Sequence, residues 1–262
     1  LKTQVLAARQ NGGDKWACMA APIAANGDWA VALDKAQQDN VSVEAVVITT
    51  PVADKATFDA MHAKALELSA KYGRRVFIMS AIAGITAGQD WATYLSEAKN
   101  KVADVAAARV LPVPQLHGNN LGVLAGRLAR ADVSIADSPM RVATGAVVGL
   151  GAVPTDKDGI PLPSAIVAEL DKARFSVPQI YPDYPGTFWG DGNMLDAPGS
   201  DFQVIENLRV VDKAARRVRI LLIQRVGDRR LNNTPNSMAA NKSSLMRPLR
   251  QASRIAPRLL PV

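Results

Sequence analysis

Two hydrophobic patterns alternate along the first 130 residues of the chain. Short β-branched apolar runs, typical of buried strands, lie at 43–52, 74–84 and 108–118. Apolar residues at helical spacing fill the segments around them, at 28–40, 54–73, 90–105 and 120–131. This alternation predicts an α/β fold in which a mixed or mostly parallel sheet is flanked by helices.

From about residue 133 the alternation gives way to turn signals rich in proline and glycine, with a short helix at roughly 163–174. Residues 202–228 then place apolar side chains at steps of three and four along one face of a long helix: Leu208, Val211, Ala215, Val218 and Leu222. Its basic residues fall mainly off this stripe and are expected to face solvent or a partner: Arg209, Lys213, Arg216 and Arg219. We therefore predict an α/β domain at 1–132, a connecting region at 133–174, and a smaller α+β C-terminal domain at 175–262 that contains a long basic helix.

The positive charge is concentrated at the C-terminal end. Residues 201–262 hold 13 Lys and Arg against 4 Asp and Glu, whereas the preceding 200 residues hold 18 basic and 20 acidic side chains. Such a block favours an acidic partner: nucleic acid, an anionic membrane or an acidic protein surface. Aromatic side chains support binding to nucleic acids and to membrane surfaces. Residues 203–262 contain no Phe, Tyr or Trp. We therefore expect the basic region to bind an acidic protein surface. We expect it neither to bind nucleic acid nor to insert directly into a membrane.

Candidate chemistry is sparse. His117 lies at the end of a predicted strand, where a catalytic base could lie, although a surface or hydrogen-bonding role is the more frequent one. Cys18 has no His nearby in sequence and is expected to be a small buried hydrophobe. Residues 191–202 begin like a calcium loop but lack its later ligands, and no phosphate-binding glycine loop occurs. No catalytic residue, cofactor site or metal site is predicted.

The stretch "YPGTFWGDGNML" at 184–195 joins the turn-rich region to the basic helix. Proline and glycine permit a tight turn with positive φ, and the two aromatic residues offer a rigid apolar anchor. We predict a structural joint that packs the helix onto the preceding strands, formed by Pro185, Gly186, Phe188, Trp189 and Gly190.

Three successive segments resemble the C-terminal part of contractile tail sheath proteins of myophages and related contractile injection systems. The first segment is a glycine-plus-tryptophan element, matched by Gly186, Trp189 and Gly190. The second is a strand followed by an arginine-bearing helix, matched by "FQVIENLRVV" (202–211) and the residues after it. The third is a turn that opens another helix, matched by "NNTPN" (232–236). The chain departs from the family in "DGNML" after Trp189, where Arg-Thr is usual, and both of its ends look truncated. Whether terminal arms exchange strands between subunits stays open.

The resemblance implies a structural virion protein and no enzyme. A sheath subunit would form a helical homo-oligomer around the inner tail tube, contract, and drive the tube through the host envelope without a cofactor. Its further partners would be baseplate and tail terminator proteins, and the virion tail would assemble in the host bacterial cytoplasm.

In this family the C-terminal domain contacts the tube and other subunits largely through charge. The resemblance therefore implies candidate contacts at Arg209, Lys213, Arg216, Arg217, Arg219 and Arg225. Two alternatives from other classes remain: an α/β enzyme of unknown substrate, and a basic nucleic-acid-binding protein.

Overall fold

A three-stranded parallel sheet lies at the centre of the computed structural model, which describes residues 1–23, 28–38, 42–229 and 232–255. The strands are β1 (Ala45–Ile48), β2 (Phe77–Ile82) and β3 (Val110–Pro114), in the order β1-β2-β3 with both pairs parallel. Every residue of β2 and β3 is buried, because the sheet is covered on both faces. The predicted parallel sheet is confirmed.

Helices alternate with these strands as the apolar spacing predicts. The first six are α1 (Lys2–Gly12), α2 (Trp29–Gln38), α3 (Lys55–Tyr72), α4 (Trp91–Val102), α5 (Asn120–Ala129) and α6 (Ser164–Lys172). Asp54 caps α3 by accepting a hydrogen bond from the Thr57 amide at 2.9 Å, and Gly73 ends this helix at φ +63°. Residues 39–40 of the helix predicted at 28–40 lie outside the described residues.

Helix α1 was not predicted, and it packs against α5 with almost no space between the two backbones. A Cβ atom at Gly122 would lie 2.1 Å from the Gln4 carbonyl oxygen, and one at Gly126 would lie 2.2 Å from that of Ala8. The Gln4 side chain also accepts a hydrogen bond from the Gly122 amide at 2.6 Å. Only glycine permits this approach, so α1 and α5 are matched by backbone contact rather than by large apolar side chains.

Two hydrophobic clusters fill the two sides of the sheet. One contains Phe58 of α3 with Trp91 of α4, and the other contains Leu124 of α5. Residues after 174 join both clusters, since Phe175 lies in the first and Trp189 lies in the second. The domain boundaries at 132 and 174 stay a prediction.

The C-terminal part adds a hairpin and two long helices. Strands β4 (Pro178–Ile180) and β5 (Thr187–Trp189) pair antiparallel, and they are followed by α7 (Ile205–Ile223) and α8 (Pro235–Ile255). The expectation of a strand over 202–211 is wrong, because α7 already begins at Ile205 and only Val204 makes an isolated bridge, to Asn193. Within the described ranges, no helix is long and apolar enough to cross a membrane.

Candidate assembly interface

Helix α7 is anchored in the body of the protein by its first two turns. Ile205 and Leu208 are 0% and 2% exposed and belong to the cluster that contains Trp189. The Ile205 amide donates to the Gly192 carbonyl at 2.8 Å, which fixes the point where the helix starts. The N-terminal end of α7 is therefore part of the core.

A buried ion pair fastens the second turn of α7 to the sheet. Arg109 donates to both carboxylate oxygens of Asp212, at 2.7 and 3.0 Å, and also to the Val76 carbonyl at 3.0 Å. Asp212 is 2% exposed and Arg109 is 7% exposed. Because Val76 and Arg109 directly precede β2 and β3, this bidentate pair holds α7 at the edge where both strands begin.

Arg209 is not a free surface residue. Its guanidinium donates from Nε to Glu44 Oε1 at 2.6 Å and from Nη2 to the Leu128 carbonyl at 3.0 Å, and the residue is 7% exposed. The expectation that Arg209 faces solvent or a partner is wrong, because the approach to β1 and the end of α5 enclose this turn of the helix.

Beyond Asp212, three of the four basic side chains of α7 face outward. Lys213, Arg217 and Arg219 are exposed. Arg216 is half-buried, and its Nε has no hydrogen-bond partner among the described residues. The second half of the helix thus presents at least three cations to the surroundings.

Arg225 lies after the end of α7 and is turned towards α8. Its guanidinium donates to Asn241 Oδ1 and to Ser244 Oγ, and the residue is half-buried. These two hydrogen bonds join the two C-terminal helices, so Arg225 already has partners within its own chain.

The predicted apolar stripe of α7 is a core face only at its start. Leu208 is buried, but Val211 and Leu222 are 41% and 45% exposed. Ile220 and Ile223, near the C-terminal end of the helix, are also more than half exposed. Ala215 and Val218 of the same stripe are half-buried, so Leu208 is the one member of the stripe that is fully buried.

The residues of the predicted joint lie in and beside the β4–β5 hairpin. Pro185 and Gly186 are exposed in its turn, and Gly186 has φ +109°. Phe188 is 2% exposed and its ring packs 5.5 Å from the rings of both Tyr181 and Tyr184.

The end of the hairpin enters the core. Trp189 is fully buried and donates from Nε1 to Ser176 Oγ at 2.8 Å. The Gly190 amide donates to the Val177 carbonyl at 2.8 Å, and a Cβ atom at Gly190 would lie 2.8 Å from the same oxygen. Trp189 shares a cluster with Ile205, so the hairpin and the start of α7 pack together.

Carboxyl groups near the start of α7 are held in poorly hydrated surroundings. Burial raises the pKa of Glu206, the charge of Asp191 adds to this rise, and Glu206 Oε2 has no hydrogen-bond partner among the described residues. Burial likewise raises the pKa of Asp171, against a hydrogen bond that Asn193 donates at 2.8 Å. No local signal in the sequence predicts this grouping.

The residues considered for chemistry do not form a reactive constellation. His117 Nδ1 lies 3.4 Å from Asn120 Nδ2, and burial lowers the pKa of the His117 imidazole. His62 Nδ1 accepts a hydrogen bond from the Arg109 amide at 3.3 Å. Cys18 is exposed, so its predicted burial is wrong: the segment after α1 lies on the surface. Across the described part of the chain, no group of three or more His, Cys, Asp or Glu is arranged to hold a metal ion.

An α/β body that presents a basic helix outward is suited to contacts with other proteins. Comparison with known families assigns residues 1–193 to the DUF2586 N-terminal domain and residues 201–258 to the DUF2586 C-terminal domain. The chain therefore belongs to the DUF2586 family. The two matched domains meet between residues 193 and 201, immediately before α7.

Known relatives agree with the resemblance seen in the sequence. The chain is 44% identical to a protein of Haemophilus phage HP1 (strain HP1c1) named "Putative tail sheath protein". The similarity covers 98% of this chain and 70% of the relative. This confirms the recognition of the contractile tail sheath family.

Two solved structures share the fold. The sheath tail protein from Desulfitobacterium hafniense has a TM-score of 0.54 at 12% identity, and a chain of the anti-feeding prophage baseplate has a TM-score of 0.58 at 15% identity. The similarity covers 88% and 96% of this chain but 51% and 64% of those chains. The protein thus spans about half and somewhat under two thirds of these larger neighbours.

Proposed function

We propose that this protein is a tail sheath subunit that polymerises helically around an inner tail tube and contracts to drive the tube through the host envelope. The observation that carries the proposal is the 44% identity, over 98% of the chain, to the phage protein named as a tail sheath protein. The two solved neighbours support the fold of such a subunit.

The two halves of α7 suit this role. The first half is bound to the sheet through Arg109 and Asp212, whereas Lys213, Arg217 and Arg219 on the second half are available for contacts with a tube or a neighbouring subunit. Each exposed ion pair contributes only about 0–1 kcal/mol. Repeated over a helical lattice, such pairs would hold subunits in register and still separate during contraction.

The predicted joint has a place in the same proposal. Trp189 of the hairpin and Ile205 of α7 belong to one buried cluster, so a force on the exposed part of the helix would be passed to the whole body. Energy would be stored in subunit interfaces during assembly, with no nucleotide consumed. We assign Arg209 and Arg225 to contacts within the chain rather than to the tube.

The partners and location agree with the proposed role. They are further copies of the chain, the inner tail tube protein, and baseplate and tail terminator proteins. The subunit would be a component of the virion tail after assembly in the host bacterial cytoplasm.

Negative-stain electron microscopy of the purified protein, with and without the inner tube protein, tests the proposal. Hollow cylinders with a regular axial repeat are expected, and the tube is expected to increase their number and length. Dispersed particles under every condition would count against a sheath subunit and would make His117 the first residue to examine for an enzymatic role.

A further inference from the structure

A cleft of about 400 Å³ opens between the C-terminal end of α3 and the middle of α7. Lys71, Tyr72 and Arg75 line one wall, and Ala215 and Arg219 line the other. None of the lining residues that the structure describes is acidic. The cleft therefore joins the α/β body to the basic helix and carries positive charge on both walls.

The cations of this α3–α7 cleft have hydrogen-bonding capacity to spare. Arg75 Nη1 lies 3.4 Å from Asp212 Oδ1, a long contact, because Arg109 already holds both oxygens of that carboxylate. Lys71 and Arg219 are exposed and have no ion pair with another described residue. Three cationic groups thus line one space, and the Asp212 carboxylate beside Arg75 is already paired with Arg109.

The helix dipole explains only part of this arrangement. The C-terminal end of α3 carries roughly half a negative charge, which attracts a cation. The Gly73 amide already donates to the Leu68 and Ser69 carbonyls, so the last turn is capped without help from the side chains. The positive charge of three cations is larger than the partial negative charge at the end of α3. The remaining positive charge gives the cleft a positive potential.

The remaining donors suit carboxylates better than nucleic-acid bases. Lys71 Nζ lies 5.2 Å from the centre of the Tyr72 ring and the Arg74 guanidinium carbon lies 5.6 Å from it. The aromatic ring is therefore engaged by cations and is not offered for base stacking. Guanidinium groups such as those of Arg75 and Arg219 match the planar, two-oxygen geometry of carboxylates.

We propose that the α3–α7 cleft is a binding site for carboxylate side chains of an acidic segment in another protein chain. Three of its contact residues, Lys71, Tyr72 and Arg75, come from the α/β body and lie outside the group of α7 cations implied by the family resemblance. Lys213 and Arg217 of α7 do not line the cleft. Binding at this site depends on the geometry of the cleft and does not require the protein to form a sheath.

A fluorescent octaglutamate peptide with blocked ends tests the site by anisotropy with the full chain. The double variant Lys71→Ala/Arg219→Ala is compared with Lys2→Ala/Arg9→Ala, which removes the same charge from exposed positions of α1 outside the cleft. The cleft variant is expected to bind about tenfold more weakly than the parent, and the control variant less than about threefold more weakly. Raising NaCl from about 50 to about 300 mM is expected to weaken parental binding.

Two further probes separate the possible sources of negative charge. Oligothymidine of equal charge and sodium pyrophosphate are each tested for displacement of the bound peptide. If oligothymidine and pyrophosphate each displace less of the bound peptide than unlabelled octaglutamate does, the result supports a protein ligand. Equal losses in the two double variants, or tighter binding of oligothymidine that depends on Lys71 and Arg219, would overturn the proposal. All four substituted side chains are exposed, and matching thermal unfolding curves will verify that the variants fold.

Discussion

The two halves of α7 lie in opposite environments. Both halves combine aliphatic residues with arginines, yet Leu208 and Arg209 are buried while Leu222 and Arg217 are exposed. The difference arises because Asp212 is the last buried residue of α7. One continuous helix therefore serves the core at one end and is available to partners at the other.

Removal of the ion pair at the boundary between the two halves should have the largest effect. Asp212→Ala leaves Arg109 buried without its carboxylate, and we expect a loss of about 3–5 kcal/mol in the free energy of unfolding. Urea denaturation followed by circular dichroism measures it. Asp137→Ala, which removes the surface pair with Arg141, is the control and is expected to cost about 0–1 kcal/mol. Equal costs would show that the buried pair does not anchor α7.

The same substitution on each half of α7 should have unequal effects. Leu208→Ala should lower the free energy of unfolding by about 2–5 kcal/mol, because it leaves a cavity in the buried cluster that contains Trp189. Leu222→Ala, at a position 45% exposed, should change it by about 0.5 kcal/mol or less. Urea unfolding of the two variants side by side gives both values. A larger cost at Leu222 would mean that the exposed half also carries the fold.

Small residues hold α1 and α5 together in the body, in contrast to the open end of α7. Gly126→Ala should cost about 1–3 kcal/mol, because the new methyl group meets the Ala8 carbonyl and pushes α1 away from α5. Gly88→Ala, where a Cβ atom meets nothing within 4 Å, is the matched control. Thermal unfolding should show a lower midpoint for the first variant and little change for the second.

The smallest expected effect is a change in pH dependence at the base of α7. The folded pKa of Glu206 is raised above its ordinary value of 4.5, so the buried charge costs stability at neutral pH. As pH falls through the raised pKa towards 4.5, the folded state binds a proton first and this cost disappears. Glu206→Gln should therefore be more stable than the parent at neutral pH, and the gain should shrink on acidification. Unfolding free energies measured across that window test this, and a gain that grows on acidification would be inconsistent with a raised pKa.

Regular elements were predictable from the sequence because their patterns are local. The β-branched runs correspond to β1, β2 and β3, and the predicted helical segment 54–73 corresponds to α3, which is capped by Asp54 and Gly73. Helix α1 was missed because its buried residues are Ala7, Ala8 and Gly12, which form no visible apolar stripe. Its packing depends on two glycines of α5, more than 100 positions along the chain.

The site was less predictable because its decisive contacts join distant residues. Arg109 and Asp212 are 103 positions apart, and Arg209 and Glu44 are 165 apart. A helical pattern places Arg209 off the apolar stripe, but it does not show that a strand and a second helix enclose that side as well. The cleft beside Lys71 likewise exists only because α3 and α7 are brought together.

Electron microscopy of charge-reversed protein can decide whether the exposed half of α7 serves assembly while the buried half serves the fold. The variant Lys213→Glu/Arg217→Glu is compared with the parent and with Lys2→Glu/Arg9→Glu, which reverses two exposed charges on α1. We predict cylinders for the parent and the α1 variant, and dispersed but fully folded subunits for the α7 variant. Cylinders of equal length and number from the α7 variant would contradict this division of the helix.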